Sequence, residues 1–254
     1  MSSSRTSRTS RSRAVAIGAA VAAAAVLLGV VSYTATKPGD AGPPVSAEVS
    51  ADPQAGVYPE LAKLARRDAK DPLAQGRADA PVVMIEYADF KCGYCGKFAR
   101  DTEPALVKKY VDEGTLRIEW RNFPIFGKES DAAARAAWAA GQQGRFWQFH
   151  AAAYAEGAKE KGFGDAQLRA LAEEAGVKDL TRFGRDTGSD VAAEAVKKDQ
   201  EEAYQLGATS TPSFLVNGRP IAGAQPAGTF TAAIEAAVRA AKAPKDPKDA
   251  KAGQ

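Results

Sequence analysis

Residues 82–95 read Val82-Val83-Met84-Ile85-Glu86-Tyr87-Ala88-Asp89-Phe90-Lys91-Cys92-Gly93-Tyr94-Cys95, and within them one periodicity gives way to another. Val82–Tyr87 is a short apolar run suited to a buried strand. From Cys92 the pattern turns helical, through Phe98, Thr102 and Val107 to Glu113. Both cysteines of the chain fall at this changeover, three residues apart, so they can close a disulfide within one helical turn. With no further cysteine in the chain, no structural disulfide competes for them, and the pattern points to thiol–disulfide exchange.

If Cys92 opens the helix, its sulfur faces free backbone N–H groups and the positive end of the helix dipole. That favours thiolate over thiol and makes Cys92 the nucleophile, with Cys95, one turn deeper, as the resolving thiol. Half of a zinc site is the competing reading. Zinc normally takes four protein ligands, and the rest of the chain offers no cysteine and one histidine. Glu86 is a carboxylate in an apolar strand six residues before Cys92. Placed under the helix, it could relay the proton of Cys95 with its own pKa raised by burial. Facing outward, it would be an ordinary solvated or paired strand residue.

Further along, Pro104 cannot donate to the carbonyl of Arg100 and should kink the helix, which Gly114 ends. Leu116, Ile118 and Trp120 alternate with Arg117, Glu119 and Arg121, a period-two strand. A long helical region follows from about Ser130 to Leu206, with Leu168, Leu171, Ala172 and Ala175 at helical spacing and Gly176 as a cap. Ser213–Val216, Asn217-Gly218 and Arg219–Ala222 read as strand, two-residue turn and strand, because both residues of that turn need positive φ. Phe230, Ile234, Val238 and Ala241 mark a closing amphipathic helix. The order strand, helix, strand, helical insert, hairpin, helix predicts an α/β domain with helices layered on a central sheet. His150 is the single histidine, and with Phe146, Trp147 and Phe149 at helical spacing it reads as packing. Phe123-Pro124-Ile125-Phe126 suits an apolar groove, but core packing and a rigid turn explain it as well, so it stays outside the predicted site.

Composition, with 45% hydrophobic and 26% charged residues, is that of a globular protein. The net charge of +3 is unevenly spread: residues 1–33 hold four arginines and no acid, and the remainder has a net charge of −1. No basic face for nucleic acid is implied. Residues 1–13 form a basic segment expected to stay in the cytoplasm, and residues 14–33 carry no charge. Twenty helical residues span roughly the 30 Å hydrocarbon core, so 14–33 is predicted as a transmembrane anchor. A cleaved signal peptide competes, but its apolar region is usually shorter, and no convincing A-x-A site follows Val31. A flexible stem with a short helix is expected over 34–70, with Leu61, Leu64 and Ala65 on one face. The folded domain is expected over 71–241, with its helical insert at about 128–207, and a disordered charged tail over 242–254.

Three segments carry a resemblance. Glu86–Cys95, Phe146-Trp147-Gln148-Phe149-His150 and Thr211-Pro212-Ser213-Phe214-Leu215-Val216-Asn217-Gly218 resemble, in the same order, segments of DsbA-like thioredoxin-fold protein disulfide oxidoreductases. The likeness covers about residues 72–240. It implies a thioredoxin fold with an inserted helical domain, Cys92 as nucleophile, Cys95 as resolving thiol, Glu86 as buried acid and Pro212 in cis beside the sulfurs. Thr211 would offer backbone hydrogen bonds to an extended substrate, flanked by Gly93 and Tyr94. The resemblance further implies an extracytoplasmic oxidase acting on reduced exported proteins and reoxidised by a membrane quinone-linked enzyme of the DsbB or vitamin K epoxide reductase type. No bound cofactor is needed, because the cysteine pair is the redox centre.

One departure bears on direction. The best-known oxidising members have Pro-His between the cysteines, and this chain has Gly93-Tyr94. A histidine helps hold the thiolate, and about 30 mV of potential corresponds to roughly 1.4 kcal/mol, so one lost charge contact shifts the poise noticeably. Lys91 and Lys97 could supply part of the missing positive potential. The alternatives are a tethered thiol reductase or isomerase, and a non-catalytic binding or chaperone-like module.

Overall fold

The computed structural model describes residues 56–243. Within them lie helix α1 (Pro59–Ala62), strands β1 (Ala74–Gln75) and β2 (Val82–Ala88), helices α2 (Gly93–Asp101) and α3 (Glu103–Leu106), and strand β3 (Leu116–Asn122). Helices α4 (Lys128–Gly141), α5 (Phe146–Ala153), α6 (Asp165–Glu174), α7 (Leu180–Thr187) and α8 (Asp190–Gln205) follow. Strands β4 (Ser213–Val216) and β5 (Arg219–Ala222) and helix α9 (Ala227–Lys242) complete it. The predicted anchor at 14–33 and most of the predicted tail lie outside the described residues. Among the described residues no helix is long and apolar enough to cross a membrane.

The five strands form one sheet in the order β1-β3-β2-β4-β5. β2 and β3 run parallel, with Glu86 opposite Trp120, and the other pairings are antiparallel. Every residue of β2 and β3 is buried, as expected of a central pair covered on both faces. On one face Met84, Ile118 and Phe214 pack with Phe98 of α2 and with Phe230 and Ile234 of α9. On the other, Val83, Ile85, Tyr87 and Leu215 pack with Leu61 and with Ala203 of α8. A third cluster joins the sheet end to the insert, from Ala88, Phe90 and Trp120 through the alanines of α4 to Phe146 and Phe149. Six alanines of α4 are buried, which lets α5, α7 and α8 pack around it.

The polar half of the period-two strand is buried as well. Glu119 is fully enclosed, with Arg117 Nε at 3.0 Å and Arg121 Nη2 at 2.8 Å. The backbone N–H groups of Arg66 and Arg67 donate to the same carboxylate at 2.9 and 2.8 Å. The chain before β1 thus crosses the sheet and covers it: the 34–70 segment, expected as a flexible stem, is packed from Tyr58 to Arg67. Its predicted helix is a single turn, Pro59–Ala62.

Pro104 breaks the active-site helix rather than only bending it. The helix stops at Thr102 (φ −118°, ψ −51°), restarts as α3 with Pro104 in its first turn, and runs on as a π-helical turn over Val107–Val111. Gly114, at φ +75°, then turns the chain into β3. The hairpin forms as predicted, with Asn217 at φ 44° and Gly218 at φ 85°. A Cβ on Gly218 would run into the carbonyl oxygen of Tyr58, so the turn is tight against α1 as well as left-handed.

Candidate active site

Strand β2 ends on a loop whose shape Asp89 sets. Its Oδ1 accepts from the Lys91 N–H at 2.8 Å, and its carbonyl accepts from the Cys92 N–H at 3.0 Å. Its Oδ2 accepts from the N–H groups of Ile125 and Phe126 at 2.7 and 3.2 Å, tying the loop to the end of β3. The chain is thereby delivered into α2 with Cys92 as the N-cap residue. The Cys92 Sγ accepts from the Cys95 N–H at 3.3 Å, in the place a serine or aspartate oxygen commonly takes. As a thiol, it also donates to the Thr211 carbonyl at 3.2 Å. The Thr211-Pro212 peptide is cis, as the resemblance implied. Both cysteines are free thiols.

The two sulfurs are electrostatically unlike. The Cys95 thiol, hydrogen-bonded to the Cys92 sulfur, lowers the Cys92 pKa to about 6, helped by Thr211 and by backbone N–H groups of the first turn, while burial opposes the shift. Burial pushes Cys95 well above the ordinary thiol value, and the hydrogen bond to Cys92 adds to the rise. A thiolate at the helix mouth and a protonated thiol beneath it is the arrangement that nucleophilic exchange needs.

Glu86 lies under this pair. It is fully buried between Trp120 and Phe214 in the sheet, and neither of its carboxylate oxygens has a protein hydrogen-bond partner. Burial holds its pKa well above the carboxylate range, and the charges of Glu103 and Cys92 raise it further. A protonated carboxyl here is a proton source for a thiolate leaving at Cys95.

All the residues singled out in the sequence, Cys92, Gly93, Tyr94, Cys95, Glu86, Thr211 and Pro212, belong to this one corner of the fold. Tyr94 is 69% exposed, whereas Thr211 and Pro212 are buried. Lys91 and Lys97 are engaged by Glu129 (2.7 Å) and Asp101 (2.6 Å). Another ammonium approaches instead, since a Cβ on Gly93 would lie 3.4 Å from Lys159 Nζ of the insert. His150 is packed among Phe90, Trp120, Trp147 and Tyr154, and burial depresses its pKa to about 3, so it is neutral. Sequence reasoning passed over Asp89, Tyr154, whose hydroxyl donates to the Asp89 carbonyl at 2.9 Å, and Glu103. A glutamate just before a proline at a helix start reads as a surface residue, yet Glu103 is buried. Among the described residues no cluster of three or more His, Cys, Asp or Glu side chains is placed to hold a metal ion.

A family model described as Thioredoxin matches residues 68–236. The chain belongs to the thioredoxin family. Within that family it is 34% identical over 148 residues to the probable disulfide bond formation protein D of Bacillus cereus, covering 56% of this chain and 68% of that one. The thioredoxin-family chain is therefore a DsbA-like thiol–disulfide oxidoreductase. Its fold is that of BdbD from Bacillus subtilis in the oxidised form, with a TM-score of 0.62 at 24% identity over 68% of this chain and 95% of that one. A thioredoxin-like oxidoreductase from Silicibacter pomeroyi superposes with a TM-score of 0.59 at 29% identity, over 70% and 95%.

Proposed function

We propose that this oxidoreductase works outside the cytoplasm and introduces disulfides into exported proteins through Cys92 and Cys95. The observation that carries this reading is the asymmetry of the pair, a sulfur at about 6 above one pushed well up. In the disulfide form, a substrate thiolate attacks Cys92 Sγ. The new bond forms as the Cys92–Cys95 bond breaks, and Cys95 leaves as a thiolate that takes the Glu86 proton. A second substrate thiolate then attacks the substrate sulfur, and Cys92 departs as a stable thiolate. The substrate has lost two electrons and the pair has gained them. A low-pKa leaving group favours this direction, because a stabilised reduced form makes the disulfide a stronger oxidant.

The extended substrate segment pairs with the Thr211 backbone beside Pro212, with Gly93 and the exposed ring of Tyr94 flanking it. The pair itself is the redox centre, so no bound cofactor takes part. Reoxidation falls to a membrane quinone-linked partner of the DsbB or vitamin K epoxide reductase type. The 14–33 segment tethers the domain to the cell membrane with the basic N-terminus in the cytoplasm, and nucleic acid is no partner. Cys92→Ser abolishes exchange, while Cys95→Ser accumulates mixed disulfides on non-reducing gels. In that variant the Cys92 thiolate attacks a disulfide of an oxidised exported protein, releases one substrate thiol and has no Cys95 to displace it. Exchange surviving in Cys92→Ser would sink the reading.

A second reading keeps the chemistry and reverses the flow, as a thiol reductase or isomerase. It is favoured by the Gly93-Tyr94 dipeptide and by the engagement of Lys91 and Lys97 with carboxylates. The potential of the full chain, equilibrated in glutathione buffers and read by thiol alkylation, separates the two. A value well above that of thioredoxins marks an oxidase, and a thioredoxin-like value marks a reductase.

A further inference from the structure

Beneath the site, Glu86 is one of several buried polar groups that lack protein partners. Trp147 Nε1 and His150 Nε2 are also buried without one, and both residues line the same cleft as Glu103, whose charge acts on Glu86. Glu103 opens α3. Its Oε1 accepts from Gln75 Nε2 of β1 at 3.0 Å, and its Oε2 lies 3.9 Å from His150 Nδ1 of α5. Its side chain is 7% exposed, whereas Glu86 is fully enclosed. The exposed portion meets a cleft of about 430 Å³ between β1, α3 and α5, which Gln75, Glu103, Trp147 and His150 line. None of Cys92, Gly93, Tyr94, Thr211 or Pro212 borders that cleft. A proton that replaces the one given up by Glu86 thus has a way in through Glu103 that does not cross the substrate face.

We propose that Glu103 is the outer member of a two-carboxyl proton path, running from Cys95 through Glu86 and Glu103 to the cleft between β1, α3 and α5. The proposal rests on the exchange chemistry argued above. When Cys95 leaves as a thiolate, Glu86 gives up its proton and becomes a carboxylate. Glu103 reprotonates Glu86 and is itself reprotonated by solvent in the cleft. One negative charge moves outward, and no electrons move with it. Burial raises Glu103 to about 8, so it holds a proton to give near neutrality. The charge coupling between the two acids keeps them from ionising together. Other charged or titratable groups flank the cleft. From α2, Arg100 donates to the Tyr154 carbonyl at 2.7 Å, and Lys108 and Asp112 line its outer wall from the π-helical turn. From α5 come neutral His150 and Tyr154, whose own ionisation burial pushes out of range.

Glu103 acts through Glu86 and touches no reacting atom, so it is a positioning residue, and its test uses the pH profile and chemical rescue. The full chain is reduced by a small dithiol across pH 5–10, as wild type and as Glu103→Gln, Glu103→Asp and Glu103→Ala. Glu103→Gln is expected to slow reduction about tenfold, within the reach of a lost acid–base relay. Its alkaline limb is expected to move to lower pH, because the Glu103 charge that raises Glu86 is gone. Glu103→Asp recovers most of the rate, and acetate restores Glu103→Ala through the cleft. Cys92 alkylation stays at the wild-type rate in every variant. Wild-type rate and pH profile in Glu103→Gln, or equal losses in the Gln and Asp variants without acetate rescue of Ala, would overturn the proposal. If the wild-type chain itself fails to exchange, it is the exchange reading that falls.

Discussion

At the scale of single residues, the site runs on the difference between two identical side chains. Cys92 titrates at about 6 because the Cys95 thiol and the helix mouth hold its negative charge. Alkylation of the reduced chain should therefore show a midpoint near 6 for Cys92, with Cys95 silent until the fold opens. Cys95→Ala removes the largest cause of the shift and is expected to move that midpoint upward, toward an ordinary thiol, in the same assay. The linkage has a definite sign. A depressed pKa contributes stability that is complete above the unfolded thiol value, near 9, and lost as pH falls through about 6. Thermal melts of the reduced chain should show that loss between pH 9 and 6, and melts of the disulfide form should not. Glu103 has the opposite sign: its raised pKa contributes stability that is present below 4.5 and lost as pH rises through about 8. The melting temperature of Glu103→Gln relative to wild type is thus expected to climb between pH 4.5 and 8. Both sulfurs were legible in the sequence from spacing alone. The role of Glu103 was not, because burial is decided by β1 and α5, distant in the chain.

At the scale of elements, the best-read pieces are those whose signal is local. The Asn217-Gly218 turn, the closing helix and the β2-to-α2 changeover all follow from residues within a few positions of one another. What the local signal missed was supplied by distant partners. Alternation in β3 suggested an apolar and a polar side, but Arg66, Arg67 and Glu202 cover the polar side and bury Arg117, Glu119 and Arg121. Four donors converge on Glu119, enough to hold it ionised at about 2 against the cost of burial. Glu119→Gln leaves two buried guanidinium groups short of a counter-charge, and a loss of about 3–5 kcal/mol in urea unfolding is expected. Gly218→Ala meets both a left-handed backbone and the Tyr58 carbonyl. It is expected to cost at least about 1–2 kcal/mol by the same measurement. Pro104 shows how a correct reading can stop short: a missing N–H predicts a kink, whereas the helix parts at Thr102 and resumes with Glu103 turned inward.

At the scale of the whole molecule, the sheet and the insert meet at the cysteines, which share a core cluster with Phe90, Trp120 and the alanines of α4. Tyr154, on the insert side, holds the Asp89 carbonyl and accepts from Arg100 through its own carbonyl, so it spans the joint. Tyr154→Phe keeps the ring stack on Phe90 and loses only the hydroxyl bond. A modest loss of about 1 kcal/mol is expected in urea unfolding, with the Cys92 midpoint little changed. The order of elements, with a helical stretch placed between β3 and the hairpin, was readable from periodicity. The way the chain before β1 straps the sheet was not, since nothing in residues 58–67 announces a partner at Glu119 or Gly218. The antiparallel pairing of β2 with β4 has a consequence in time. A ribosome makes Cys92 and Cys95 long before it makes Thr211 and the strand that follows it, so a nascent chain carries its thiols on a half-built sheet with an open edge. Thr211, which helps hold the Cys92 thiolate, arrives near the end of synthesis. The fully tuned nucleophile is in this sense a property of the finished polypeptide, withheld until almost all of it exists.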